Sequence, residues 1–290
     1  MISILRPAAV PGLPVLIAGS FCCMSLASSE EPVSFKDSGQ KLGDTMSFSV
    51  ALGDLDGDGD LDAWVANDQA NLVWINDGTG LFTDSGQALG KNRSLSVALG
   101  KLDAEQALDA WVANGWGVLT GPQPDRVWTN DGNGSFSDSG QALGKSQGFS
   151  VALGDVDGDG DLDAWVANGP YAGLNQPQNT VWFNDGAGIF TDSGQALGDR
   201  FSCSVALGDL DGDGDLDAMV ANNNGEPNTV WFNRPPCTAD INADGFVNGE
   251  DLTILLADWG ESISKADLNE DGIVSGPDIS VLLSLWNDCP

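Results

Sequence analysis

The ten residues Gly53-Asp54-Leu55-Asp56-Gly57-Asp58-Gly59-Asp60-Leu61-Asp62 return almost unchanged as Gly154 to Asp163 and as Gly208 to Asp217. Five carboxylates within nine residues repel one another, so each copy needs a positive charge at its centre to settle. The alternation aims Asp54, Asp56, Asp58 and Asp62 at a common point. Gly59 allows the sharp turn, and the carbonyl of Asp60 adds a further oxygen. An all-oxygen donor set of this kind suits Ca²⁺. The later copies offer Asp155, Asp157, Asp159, Asp161 and Asp163, then Asp209, Asp211, Asp213, Asp215 and Asp217. The alternative is an Asp/Gly-rich surface turn, which needs only one or two such residues.

These loops sit inside a longer repeat. Phe-x-Asp-Ser-Gly-Gln-x-Leu-Gly begins at Phe35, Phe82, Phe136 and Phe190, and Ser-Val-Ala-Leu-Gly at Ser49, Ser96, Ser150 and Ser204, both with spacings of 47, 54 and 54 residues. One period holds four short strand candidates: Ser49 to Asp54, Leu61 to Asn67, Leu72 to Asn76, and a stretch from Phe82 to about Leu89 entered through an Asn-Asp-Gly turn. Four short strands per period predict a propeller blade, with a β-sandwich as the competing fold. Trp64, Trp111 and Trp165 in strand two, with Met219 in the last unit, and Trp74, Trp128, Trp182 and Trp231 in strand three are expected to pack between blades.

The repeats open with a fourth-strand segment, 35–42, and close on a third strand ending at Asn233. The sequence therefore predicts a mainly β, four-unit propeller with units at about 47–89, 94–143, 148–197 and 202–233, closed by its own N-terminal strand. Two chains sharing a larger ring is the alternative. Antiparallel succession puts the aspartate loops and Asn-Asp-Gly turns on one face. The loops between strands two and three, which vary in length, lie on the other. Trp116, Tyr171, Asn175, Gln176 and Gln178 on those loops are candidates for stacking on a glycan or gripping a peptide, set against plain surface drift. The second unit reads Lys101-Leu102-Asp103-Ala104-Glu105-Gln106-Ala107-Leu108-Asp109. It has lost its glycines and is expected to bind no metal, with Lys101 paired to Asp103 and Asp109.

With 11 basic against 43 acidic residues, a net charge of −32, nucleic acid and anionic membrane are poor partners. Residues 1–27 read as an export signal: Arg6, an apolar stretch broken by Pro7, Pro11 and Pro14, and small residues Ser25-Leu26-Ala27 before Ser28. A membrane anchor is the alternative. Export permits disulfides, and Cys237 and Cys289 bracket the last unit and are expected to pair, leaving Cys203 as a small hydrophobe. The chain has no histidine, so triads and imidazole acid–base chemistry are excluded. No catalytic residues are assigned.

After residue 234 the pattern turns helical, dividing 28–234 from 235–290. Asp240, Asn242, Asp244, Asn248 and Asp251, with the carbonyl of Phe246, have the spacing of a twelve-residue calcium loop. Leu252, Leu255, Leu256 and Trp259 follow as a helical stripe ended by Gly260. The unit returns 27 residues later as Asp267, Asn269, Asp271, Ile273 (carbonyl), Ser275 and Asp278, followed by Ile279, Leu282, Leu283 and Trp286.

Residues 35–234, with three intact Asp-x-Asp-x-Asp-Gly-x-x-Asp loops, resemble the FG-GAP and VCBS-type repeats of integrin-like propellers and secreted bacterial proteins. The resemblance implies Ca²⁺-binding blades. Four units are fewer than the seven of the integrin-like ring, and the Phe-Gly…Gly-Ala-Pro wording is absent. Residues 237–290 resemble a type I dockerin, a small all-α module with two EF-hand-like loops, which implies a cohesin-like protein partner. The residues at the family's partner-selecting positions, Gly249-Glu250 and Gly276-Pro277, differ from the usual hydroxyl pair. The expected function is a secreted Ca²⁺-dependent adhesion or ligand-binding protein. A part of a polysaccharide-degrading assembly and a structural surface component are the alternatives.

Overall fold

The computed structural model describes residues 34–117, 121–145, 147–169, 178–234, 237–242, 246–262, 264–269 and 271–286. The expected export signal, Tyr171, Asn175, Gln176, Asp244 and Cys289 lie outside them. The first sheet holds β1 (Ser47–Gly53), β2 (Asp62–Asn67), β3 (Leu72–Asn76) and β4 (Phe82–Asp84), antiparallel and in chain order. The second holds β5 (Ser94–Gly100), β6 (Asp109–Asn114), β9 (Arg126–Asn130) and β10 (Phe136–Asp138), with β7 (Trp116–Gly117) and β8 (Gly121–Pro122) forming a two-stranded excursion. The third holds β11 (Gln147–Gly154), β12 (Asp163–Gly169), β13 (Thr180–Asn184) and β14 (Phe190–Asp192). The fourth has three strands, β15 (Ser202–Gly208), β16 (Asp217–Asn222) and β17 (Thr229–Trp231). The expected strands thus form in the expected units. The fourth strand is shorter than the motif suggested, three residues, with only an isolated bridge farther on (Asn71 to Leu89 in the first unit).

Successive sheets pack face to face: β1 lies on β5, β5 on β11, and β11 on β15. As expected, the repeated tryptophans make this core. Trp64 meets the edge of Phe136 in the next sheet, centroids 4.5 Å apart at 86°, and Trp111 meets Phe190 at 4.6 Å and 85°. Trp64 and Trp111 are wholly buried, and such pairs contribute beyond the area they bury.

No closed ring is found among the described residues, and residues 35–42 form no strand. The outward faces of the end sheets are open: Val50 is 61% exposed where its counterparts Val97 and Val151 are 7%. The three-residue strands β4, β10 and β14 are each held to strand three by a tight hairpin.

The C-terminal unit contributes α1 (Gly249–Ala257) and α2 (Gly276–Ser284) around a small core of Ala239, Val247, Leu255, Ala266, Val274 and Leu282. Leu255 and Leu282 are buried as expected. Leu256, Trp259 and Leu283, expected in the same stripes, are about half exposed, because two nine-residue helices bury only a narrow line of contact. No helix among the described residues is long and apolar enough to cross a membrane.

Candidate metal centres

Each intact loop hangs between strands one and two, and its shape is set by backbone amides bonded to the aspartates themselves. Asp54 accepts from Gly57 N–H at 2.8 Å and Gly59 N–H at 3.1 Å; Asp58 accepts from Asp60 N–H at 2.9 Å. Gly59 has φ +95°, a conformation that side chains resist, so the glycine is required there. Asp155 repeats the pattern with Gly158 and Gly160, and Asp209 with Gly212.

The result is convergence. Carboxylate oxygens of Asp54, Asp56 and Asp58 lie within 4.8 Å of one another, as do those of Asp155, Asp157 and Asp163 and of Asp209, Asp211 and Asp217. Burial pushes the Asp56 carboxyl above its ordinary value; the Asp58 amide opposes this, and crowding by Asp62, Asp58 and Asp54 adds to it. Asp157 is raised in the same way, chiefly by burial. Hard oxygen donors under mutual repulsion are what a divalent cation such as Ca²⁺ relieves, so the residues present fit the ion.

Several of the expected ligands, Asp163 and Asp217 of the clusters among them, also hold backbone amides. Asp62 is fully buried and accepts from Leu55 N–H at 2.9 Å and Asn76 N–H at 2.7 Å, tying the loop to the end of β3. Asp163 does the same with Val156 and Asn184, and Asp217 with Leu210 and Asn233. The carboxylates of Asp60 and Asp161 turn away from the cluster and fill the space where Gly78 and Gly186 carry no side chain. Asp159, Asp213 and Asp215 stay in their loops, outside the tightest groupings. In the second unit, Asp109 keeps the structural bonds, from Leu102 and Asn130, without a cluster around it. Lys101 bonds the side-chain oxygen of Gln106 at 2.8 Å and forms no ion pair among the described residues. The expected pairing with Asp103 and Asp109 fails because both Asp109 oxygens are already engaged in a buried site.

Two sets of residues escaped the sequence reading. Asn130 Nδ2 donates to the Leu55 carbonyl of the preceding loop at 2.8 Å and to Leu108 at 3.1 Å, and Asn184 does likewise to Leu102 and Leu162. Gln87 spans to the next sheet, donating to Gly134 O at 2.7 Å and accepting from Phe136 N–H at 2.8 Å; Gln141 does so to Gly188 and Phe190, and Gln40 to Gly80 and Phe82. Their signal was the recurrence of Asn-Asp-Gly and Ser-Gly-Gln in each unit. Together with Asn233, whose Nδ2 donates to the Val156 carbonyl, they join the loops of the first three units to the following blade.

In the C-terminal unit, Asp251 and Asp278 are buried and act as helix caps. Asp251 accepts from Ile241, Asn242 and Asn248 amides, and Asp278 from Leu268, Asn269 and Ser275. Asp267, Asn269 and Asp271 are linked through the Asp271 and Gly272 amides. Asp240 and Asn242 lie at the start of the first loop, while Phe246 and Asn248 lead into α1, Asn248 as its N-cap; Ile273 and Ser275 lead into α2, Ser275 as its N-cap. Of the glycan or peptide candidates, Gln178 is placed, exposed, with its carbonyl accepting from Asn168 Nδ2 at 2.9 Å. Trp116 lies in β7.

Four antiparallel sheets in succession, three of them carrying an aspartate loop of one design, define a propeller-like repeat protein. A family model described as FG-GAP-like repeat matches residues 54–112, 102–166 and 171–220, more than half of the chain. The chain belongs to the FG-GAP-like repeat family. No curated protein matches the sequence. Among solved structures it is similar to an Agrocybe aegerita lectin described as recognising non-reducing terminal N-acetylglucosamine, with 20% identity and TM-score 0.38 over 63% of this chain and 51% of that one. It is also similar to the V. cholerae biofilm matrix protein Bap1, with 16% identity and TM-score 0.31 over 67% of this chain and 31% of that one. The chain spans about half the length of the lectin and about a third of Bap1.

Proposed function

We propose that this is an exported, Ca²⁺-dependent binding protein without catalytic activity, in which the blades present a ligand-binding face and the C-terminal unit docks to a protein partner of cohesin-like type. One observation carries the reading: the aspartates at the first and third positions of the loop come together with a further carboxylate in the first, third and fourth units, Asp58 in the first and Asp163 and Asp217 in the others, whereas the second unit has lost the glycines and its first aspartate. Hydrogen bonds from backbone amides to the aspartates shape each intact loop, and a bound cation would add its binding energy to theirs. The dockerin-like reading rests on the two capped loop–helix units and on half-exposed Leu256, Trp259 and Leu283 beside them. Ca²⁺ titration calorimetry on the full chain tests the assignment. Three sites are expected in the blades and two in the tail, and Asp54→Ala, Asp155→Ala and Asp209→Ala should each remove one. A stoichiometry indifferent to all three substitutions refutes it. Glycan and peptide arrays probed with and without chelator then test the ligand face.

A further inference from the structure

The fourth sheet ends at β17, and beside it lies a cleft of about 610 Å³ lined by Trp165, Phe183, Gln195, Leu197, Trp231 and Phe232, among others. Its counterparts one and two blades earlier are filled. Beside Trp64 the place is taken by Phe136, and beside Trp111 by Phe190, the first residues of β10 and β14, both at least nine-tenths buried. Beside Trp165 no such phenylalanine follows, because the repeat stops after Asn233. The cleft is thus the chain's own inter-blade interface continued one step farther, lacking its last member. Gln195 repeats the point: Gln87 and Gln141 each span to the amide of the next blade's phenylalanine, whereas the Gln195 side chain has no hydrogen bond among the described residues.

The missing piece exists at the other end of the sequence. Phe35-Lys36-Asp37-Ser38-Gly39-Gln40 carries the wording of the other three fourth strands. Gln40 already makes the forward link to the first blade, to Gly80 O and Phe82 N–H, that Gln87 and Gln141 make to theirs. The two end faces also complement each other. Met219, Val230 and Phe232 are about half exposed on the fourth sheet, at the positions of Trp64, Val73 and Ile75; Val50 and Leu52 are exposed on the first, at the positions of Val97 and Leu99, which meet that set inside the array.

We propose that two copies of this chain join head to tail, Phe35–Asp37 of one copy adding as the fourth strand to β17 of the other. The register follows from the complete blades, where Asn184 pairs with Phe190, Phe183 with Thr191 and Trp182 with Asp192. Phe35 then lies opposite Asn233, Lys36 opposite Phe232 and Asp37 opposite Trp231. Phe35 fills the cleft against Trp165, Gln195 reaches the Phe35 amide, and the open faces of two sheets are covered. The contact is heterologous, and used twice it closes a ring.

The test mixes two differently tagged full-length chains in a Cys203→Ser background with Ca²⁺ present, one carrying Lys36→Cys and the other Phe232→Cys. A disulfide between the two tags is expected, together with a two-chain mass by sedimentation. Phe35→Asp should weaken association roughly tenfold or more, the scale of leaving a buried phenylalanine unplaced. Residues 35–42 form no strand, so far-UV circular dichroism should not change, and Gln195→Ala should weaken association independently. A one-chain mass at every concentration overturns the proposal. So does a cross-link that forms only when both cysteines are in the same chain, which would mean closure within one copy, and so does association indifferent to Phe35→Asp and Gln195→Ala.

Discussion

Asp125 is the clearest place to perturb this array. At the position where β9 begins, the other three units carry Asn71, Asn179 and Asn228, each accepting a hydrogen bond from the amide at the end of strand two. The second unit puts a carboxylate there, accepting from Asn114 N–H at 2.8 Å, with Gly148 packed so closely that a Cβ would lie 2.8 Å from Oδ1. Burial pushes the Asp125 pKa up to about 8, and the Asn114 amide offsets this only in part. A folded-state value above the unfolded one means that the stability contribution is complete below the ordinary value of 3.8 and is lost as pH rises towards 8. At ~1.4 kcal/mol per unit, the loss by pH 7 is about 4 kcal/mol as an upper bound. Asp125→Asn keeps the accepting oxygen and removes the ionisation. Thermal or urea midpoints of both proteins, measured with Ca²⁺ from pH 5 to 8.5, should diverge as pH rises, with the variant the more stable. A difference that does not change with pH would refute the reasoning.

Three further outcomes follow from single contacts. Asn130→Ala leaves the Leu55 and Leu108 carbonyls without their side-chain donor and should cost about 1–3 kcal/mol, read as a lower unfolding midpoint. Trp111→Ala empties the contact between the second and third sheets and should cost about 3–5 kcal/mol in the same assay. Asp278→Ala removes three hydrogen bonds accepted from backbone amides and so loosens the entry to α2. Burial raises the Asp278 carboxyl, but the Ser275, Asn269 and Leu268 amides outweigh this and hold it below its ordinary value. Its contribution is therefore present above the unfolded value and lost as pH falls, so the wild-type tail should lose stability on acidification more steeply than the variant, by hydrogen exchange of α2 amides.

The units, their strands and their tryptophan core were legible because a period repeated four times averages out local ambiguity, and because Trp64, Trp111 and Trp165 can be buried only against a neighbouring copy. What the ends of the array do was not legible. The segment at Phe35 has the same wording as β4, β10 and β14, and nothing local distinguishes a strand tethered by a hairpin from one that must find its sheet. An aspartate that points at a cation also reads the same as one that accepts backbone amides. Hence Asp62, Asp251 and Asp278 proved to be structural ties as well as expected ligands, and Asp60 turned towards Gly78. Lys101 was misassigned for the same reason, since the burial of Asp109 is a property of the sheet and not of the loop.

The central claim is that divalent cations hold the acidic loops, and through Asn130 and Asn233 the blades, in place. The most direct measurement is the melting temperature of the full chain before and after exhaustive chelation. A fall on chelation that added Ca²⁺ reverses, and that shrinks in an Asp54→Ala, Asp155→Ala, Asp209→Ala triple variant, is the predicted result. An unchanged melting temperature would contradict the account.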